Sequence, residues 1–353
     1  MKSVTMSSSR IEGETYFQAN TFFYNDHINP IIASIIPQFE GMMRSYVILH
    51  LIFLILGGIE CILMVTFFSL LTQSALLAMC LAGVFLTFFS YFILKVYYQT
   101  KKPEQHKEII QRYLAACKSL LNYQEGCPEH HIALANACCK LANNLHGKEY
   151  NFYAFPQWLK SLHSFIEKFS CWWHWQDVHR FKELLLLTSV EENIKLVKCE
   201  PTSLEVHASL ANAYVMLSGL YVDPRKLEGY DEERWMPVER YSFQMEEKFR
   251  AIAERAIEEF KVLNDYAPND PWVHAQLAYS YRDLQMPKEE IKEYETILKL
   301  NPGDRETFYK LGLLYFQQGF NAQGLRVYEE LKRTHYKKAE SLMENYGLFK
   351  PFS

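Results

Sequence analysis

Apolar positions in this chain follow two regimes. Between residues 45 and 96 they are nearly continuous. Ser45–Leu71 (SYVILHLIFLILGGIECILMVTFFSLL) and Ser74–Val96 (SALLAMCLAGVFLTFFSYFILKV) form two runs, with only the polar Thr72, Gln73 and Ser74 between their apolar residues. Each run exceeds the roughly 20 apolar residues a helix needs to cross a bilayer core. A bilayer offers no partner to open backbone groups, so two helices joined by a tight turn is the predicted form. Near absence of charge over this length argues against a buried hairpin of a soluble protein. Arg44 precedes the first run, Lys95, Lys101 and Lys102 close the second, and the turn carries no Lys or Arg. Positive flanks stay inside, which places both termini and the large C-terminal region on the cytoplasmic side of an integral, two-span protein. Tyr46, Tyr91, Tyr97 and Tyr98 fall where interfacial aromatics are expected.

Upstream, Met1–Thr15 is polar and Ser-rich, and the first apolar run starts too deep to be a cleavable signal. The anchor is therefore expected to remain in the mature protein. Within the first run, Glu60 is an intramembrane charge and a functional candidate. The plainer reading has it protonated, or paired with a polar group on the second helix or on another copy. Gly57-Gly58 offers a small-residue face for close helix approach.

Beyond Lys101 the charges return and the apolar residues become periodic at helical spacing. Pro271–Asp304 (PWVHAQLAYSYRDLQMPKEEIKEYETILKLNPGD) and Arg305–Lys338 (RETFYKLGLLYFQQGFNAQGLRVYEELKRTHYKK) are each 34 residues long. Leu277 aligns with Leu311, Ala278 with Gly312, Tyr281 with Tyr315 and Tyr294 with Tyr328, and Pro268 and Pro302 are one period apart. The pattern resembles the tetratricopeptide repeat, TPR. A small residue lets two helices cross closely, Tyr and Leu fill the gap, and Pro stops the second helix. At the small position of the second helix stand Glu290, a departure, and Gly324. Leu210, Ala211 and Tyr214 repeat the first-helix signature, with Ala256 and Phe260 on a second helix beyond an insertion from about Tyr221 to Tyr241. Leu134, Ala135 and Cys138 repeat it again, more weakly, with FKELLLLTSVEENIKLVKCEP as partner. The predicted fold class is all-α: an N-terminal transmembrane helical hairpin followed by a TPR-like helical-repeat superhelix with insertions. Residues 1–43 are a polar N-terminal segment and 44–97 the hairpin. Residues 98–202 hold degenerate repeats with a Trp-rich insertion, and 203–349 hold repeats with a capping helix over Ala339–Gly347.

The resemblance implies a partner protein or peptide bound in a groove lined by first helices. Mapped onto this chain, the groove positions are Asn212, Met216, Tyr279, Arg282, Tyr309 and Phe316, a mixture suited to a peptide or a partner helix. Tyr279, Tyr309 and Phe316 read equally well as hairpin packing. A carboxylate clamp is not expected, because Asn212 stands near Ala208 rather than a Lys. In the Trp-rich segment Tyr150–Phe181, Trp158, Leu162, Phe165 and Phe169 share one helical face, followed by Trp172, Trp173 and Trp175. Trp158, Trp172 and Trp173 are therefore membrane-interface candidates. Few lysines on the polar side favour the alternative, that the segment folds back onto the repeats. The short-turn hairpin is also similar to inclusion-membrane proteins of chlamydial bacteria, and the Ser/Thr-rich start resembles a type III secretion signal, which extends the expectation to a bacterial protein.

Composition changes little in this picture. The formal net charge of −4 gives no sign of nucleic-acid binding, and 14 Gly and 13 Pro are few for a turn-rich β protein. The 8 Cys lack a disulfide framework and read as mostly buried thiols in a reducing compartment. Cys127, His130, His131 and Cys138, and likewise Cys171, His174 and His179, lack the paired CxxC knuckles of a zinc site, so no metal or cofactor is expected. No phosphate loop, dinucleotide fingerprint, nucleophile elbow or HExxH is present. A non-enzymatic, membrane-anchored scaffold is the function expected. The alternative is a membrane-shaping or channel-like hairpin protein whose repeats drive self-assembly.

Overall fold

The structure is a computed structural model that describes residues 6–67, 75–153, 163–223 and 241–347, with side chains from residue 27 and, in the second stretch, from residue 77. All regular structure among the described residues is helical. The residues up to Ser189 form one compact unit, and those from Val190 a second.

The first unit is built on two long helices, α1 (Met6–Thr66) and α2 (Ala75–Leu121). Their facing apolar segments form the expected hairpin. His50 and Phe53 of α1 lie against Tyr91 of α2, with ring centroids 5.7 and 5.4 Å apart. Thr87 Oγ1 donates to Glu60 Oε1 at 2.7 Å, so the carboxylate within the first apolar run finds a polar group on the second helix. The outward apolar side chains have no protein over them: Leu54 is 72 % exposed and Phe85 69 %. Both helices are long and apolar enough to cross a membrane.

Neither helix stops where its apolar run stops. Toward the N-terminus, α1 presents Ile28, Ile32, Ile35, Phe39 and Met43, all buried, at the three-to-four residue spacing of one helix face. Beyond its apolar run, α2 buries Ile109, Ile110, Tyr113 and Cys117. These faces close on α3 (Pro128–Asn144) and on the first two-thirds of α4 (His163–Cys199). Phe39 is fully buried, stacks on Phe181 at 4.4 Å and meets Phe152 at 6.2 Å. Tyr113 Oη donates to the Ala137 carbonyl at 2.8 Å and ties α2 to α3. Leu134, Ala135 and Cys138, the weak repeat signature, are core residues of α3. Cys139 Sγ, 3.2 Å from Ser189 Oγ, links that helix to the expected partner on α4. His106 is enclosed between Phe39 and Phe181, with neither ring nitrogen hydrogen-bonded to a described residue. Burial, then the charges of Lys102 and Arg180, pushes it down to about 4, so the ring is neutral at physiological pH.

The second unit stacks helical hairpins: α5 (Leu204–Gly219) with α6 (Phe243–Tyr266), α7 (Pro271–Asp283) with α8 (Pro287–Leu300), and α9 (Arg305–Gln317) with α10 (Asn321–Arg333). The short α11 (Ala339–Leu342) and a 3₁₀ turn follow and complete the cap. Side-chain caps start α7 and α9. Asp270 accepts from the Trp272 N–H at 2.9 Å, and Asp304 accepts from the N–H groups of Glu306 and Thr307 at 3.1 Å. The hairpin turns repeat too: Gln285 and Gly319, one period apart, both take the left-handed conformation, which glycine adopts without strain. The aligned positions are the core, with Ala278, Tyr294, Ile297, Leu311 and Leu314 packed together. Gly312 is a true close-approach site, since a Cβ there would come within 2.6 Å of Val327 Cγ1.

Candidate functional site

The first helices α5, α7 and α9 carry the groove positions, and their packing decides which reach solvent. Leu210, Ala211, Ala213 and Tyr214 point α5 into the core and leave Asn212 and Met216 exposed. On α7, Leu277, Ala278 and Tyr281 are buried, Tyr279 is half-buried and Arg282 is exposed. The Arg282 guanidinium lies 5.3 Å from the Tyr279 ring centroid. Lys310 Nζ, from α9, lies 5.3 Å from the same centroid and donates to Tyr279 Oη at 3.4 Å. Two cations thus share one aromatic ring, an arrangement in which ring quadrupole and charge attract. The sequence reading missed Lys310, although Leu313 is one period beyond Tyr279 and Lys310 is one turn before Leu313.

Arg282 also lines an open cavity of about 590 Å³ with Val215, Tyr221, Phe243, Phe249 and Arg250. Val215 comes from α5 and Phe243, Phe249 and Arg250 from α6, on either side of the insertion read from the sequence, and none of them was among the sequence candidates. Phe243 is 80 % exposed, so the cavity offers apolar surface beside two guanidinium groups. Behind Arg282, Glu290 is buried, and burial, opposed by the Arg282 charge, pushes its carboxyl up to about 7. Asp283 is likewise raised by burial, against Arg282.

The other two groove candidates differ. Tyr309 is half-buried and engaged with the cap: its hydroxyl is 3.1 Å from Ser341 Oγ, and Lys338 lies over its ring at 5.8 Å. Phe316 is not a surface residue. It is fully buried with Val327, Leu331, Ala339 and Leu342, and its ring meets Tyr346 edge-on at 5.6 Å. The expectation that Phe316 contacts a ligand is corrected, because the cap of the last repeat covers it.

Of the membrane-interface candidates, Trp172 is half exposed and Trp173 lies 5.3 Å from the ring of His50 in the hairpin. Trp158 lies outside the described residues. The histidines and cysteines that suggested metal have other partners. Cys127 Sγ donates to Glu129 at 2.9 Å, His174 stacks on Phe152 at 4.1 Å and lies 2.9 Å from Tyr153 Oη, and His179 stacks on Trp175 at 4.7 Å. Among the described residues no three His, Cys, Asp or Glu side chains gather as a metal site.

No family model matches this chain. No curated protein matches it either. Among solved structures it is similar to the crystal structure of YrrB, described as a TPR protein with an unusual peptide-binding site. The match has 13 % identity and a TM-score of 0.32, and covers 64 % of this chain and 97 % of that one. At that distance no site residue is transferred from one chain to the other.

Proposed function

We propose that this protein is a membrane-anchored helical-repeat scaffold, not an enzyme, that holds a partner protein or peptide on its first-helix face. Residues 44–97 cross the bilayer as a hairpin. Both termini and the two helical regions, 98–202 and 203–349, lie on the cytoplasmic side. The exposed apolar surface of the hairpin supports the anchoring, since soluble monomers rarely expose contiguous apolar patches above a few hundred Å².

The binding half rests on one observation: Tyr279, gripped by Arg282 and Lys310, adjoins an open, partly apolar cavity through Arg282. Cations in a fixed frame beside apolar walls suit an extended peptide with acidic and apolar side chains. Asn212, Met216 and Tyr309 extend the same face in this reading.

The test uses the full chain in detergent, probed against an array of peptides of varied acidity. The Tyr279→Ala/Arg282→Ala/Tyr309→Ala variant, with helicity unchanged by circular dichroism, is expected to lose about ten- to a hundred-fold in affinity for the peptides that the native chain selects. Equal binding by native and variant chains would remove the face from the reading. Sizing the same preparation reports whether copies associate. Gly57 and Gly58 have nothing within 4 Å of a notional Cβ, which leaves room for a second hairpin.

A further inference from the structure

The contacts of α4 with the two long helices fix its level along them. Phe181 packs on Phe39 of α1 and lies 5.7 Å from His106 of α2. One turn back, Asp177 accepts from Lys102 Nζ at 2.6 Å. A further turn back, Trp173 reaches His50, which itself touches Tyr91. His50 and Tyr91 both lie inside the apolar runs, and Lys102 lies just beyond them. Moving toward its N-terminus, α4 therefore leaves the water-side core and enters the level of the hairpin at Trp173. Phe165, eight residues earlier and roughly 12 Å away along the axis of α4 at 1.5 Å per residue, lies beyond the last contact that fixes this level.

That end of the helix has the composition such a level demands. Phe165 is 68 % exposed, Phe169 36 % and Trp172 50 %, and their spacing puts them on one helical stripe. Ser170, Cys171, His174 and Trp175, on the opposite side, are buried against the protein. Lys168 is exposed among them, and His163 and Glu167 approach at 3.4 Å. Those charges forbid the hydrocarbon centre but suit the headgroup boundary, where lysine reaches outward and aromatics reach in. Arg44, Lys95 and Lys101 stand at the same boundary on the hairpin.

We propose that the first turns of α4, from His163 to Trp173, lie in the lipid interface beside the hairpin, with Phe165, Phe169 and Trp172 facing acyl chains. The occupant of this face is the bilayer itself, because the stripe continues the lipid-facing surface of α1 and α2. The anchor then has three elements: two that span and one that dips in. The proposal rests on the reading that the hairpin crosses a membrane.

The experiment places the photoreactive residue benzoylphenylalanine, one site at a time, at Phe165 and Trp172, at Leu54 and Phe85 of the hairpin, and at Tyr266 in the repeats. The full chain is reconstituted into vesicles of phosphatidylcholine with phosphatidylglycerol, irradiated, and read by mass spectrometry for lipid adducts. Adducts at residues 165 and 172 comparable to those at 54 and 85, and about ten-fold above 266, are expected of an interfacial helix. Lipid adducts at 54 and 85 alone would overturn the proposal, as would protein adducts at 165 and 172. No lipid adduct at any site would remove the membrane hairpin and the proposal with it.

Discussion

Two residues one period apart, Glu290 and Gly324, show how the same repeat position is solved twice. Gly324 leaves a hole that Phe316 fills: a Cβ at residue 324 would come within 2.5 Å of Phe316 Cε1. One period earlier the filler is Arg282, which stays at the surface, and Glu290 occupies the small position with its carboxyl buried. This pairing explains why register alone placed Phe316 beside Arg282 among the groove residues. Periodicity marks which positions are equivalent, while the size of the residue across the hairpin decides which of them is filled from outside. Gly324→Ala would gain about 0.5–1 kcal/mol of helix propensity. It would lose more by overpacking against a ring that cannot retreat, about 1–3 kcal/mol. A net fall in thermal midpoint is expected, and a rise would show that Phe316 has room to move. Glu290 predicts a pH effect. Its folded pKa of about 7 lies above the ordinary 4.5, so between those values the folded chain holds a proton that the unfolded chain has released. Stability from this group is complete below about 4.5 and is lost as pH rises through about 7. Glu290→Gln, neutral throughout, should raise the melting midpoint at pH 8 and leave it nearly unchanged at pH 4. An equal effect at both pH values would mean that the carboxyl is not buried in its charged form.

At the scale of the element, the repeat helices were legible because their signature positions are their core positions: Leu277, Ala278, Leu311 and Gly312 are all buried. The two long helices were legible only over their apolar runs. Pro30 and Pro37 inside α1, and Pro103 inside α2, act as breakers in a sequence pattern and hide the continuity. The packing overrides them, since both helices extend past their apolar runs and contribute to one core. The overlooked signal was the spacing of Ile28, Ile32, Ile35, Phe39 and Met43 within a segment read as merely polar. Phe39 is the most enclosed member of that stripe, held among Phe181, Phe152 and His106. Phe39→Ala should cost about 3–5 kcal/mol, the range for a truncated core aromatic. Amide hydrogen exchange in detergent would locate the loss in α1, the second half of α2, α3 and the first part of α4, with α7 to α10 unaffected. Uniform loss of protection across both units would mean that the stripe supports the whole chain rather than the first unit.

For the whole molecule, these boundaries decide where the chain can be cut. An anchor is ordinarily removed by starting just after its last apolar residue, near residue 103. Here that cut discards Ile28 to Tyr46, the apolar face on which Phe181, His106 and Phe152 pack, and leaves the first unit's core open. The second unit has its own clusters, one centred on Ala278, Tyr294 and Leu311 and one on Phe316, Val327 and Leu342, and both lie wholly beyond Val190. Stacked hairpins draw stability from nearest neighbours, so such a unit can stand without what precedes it. Fragment 190–353 is therefore expected to be soluble, helical and cooperative on melting. Fragment 103–353, although longer, should expose apolar surface, bind a hydrophobic dye and aggregate. The same comparison bears on the scaffold reading, because a second unit that folds alone can present Tyr279, Arg282 and Lys310 in their native arrangement without a membrane. Cooperative melting of 103–353 without dye binding would instead mean that α3 and α4 close their core unaided, and that the α1 stripe serves only the apolar hairpin.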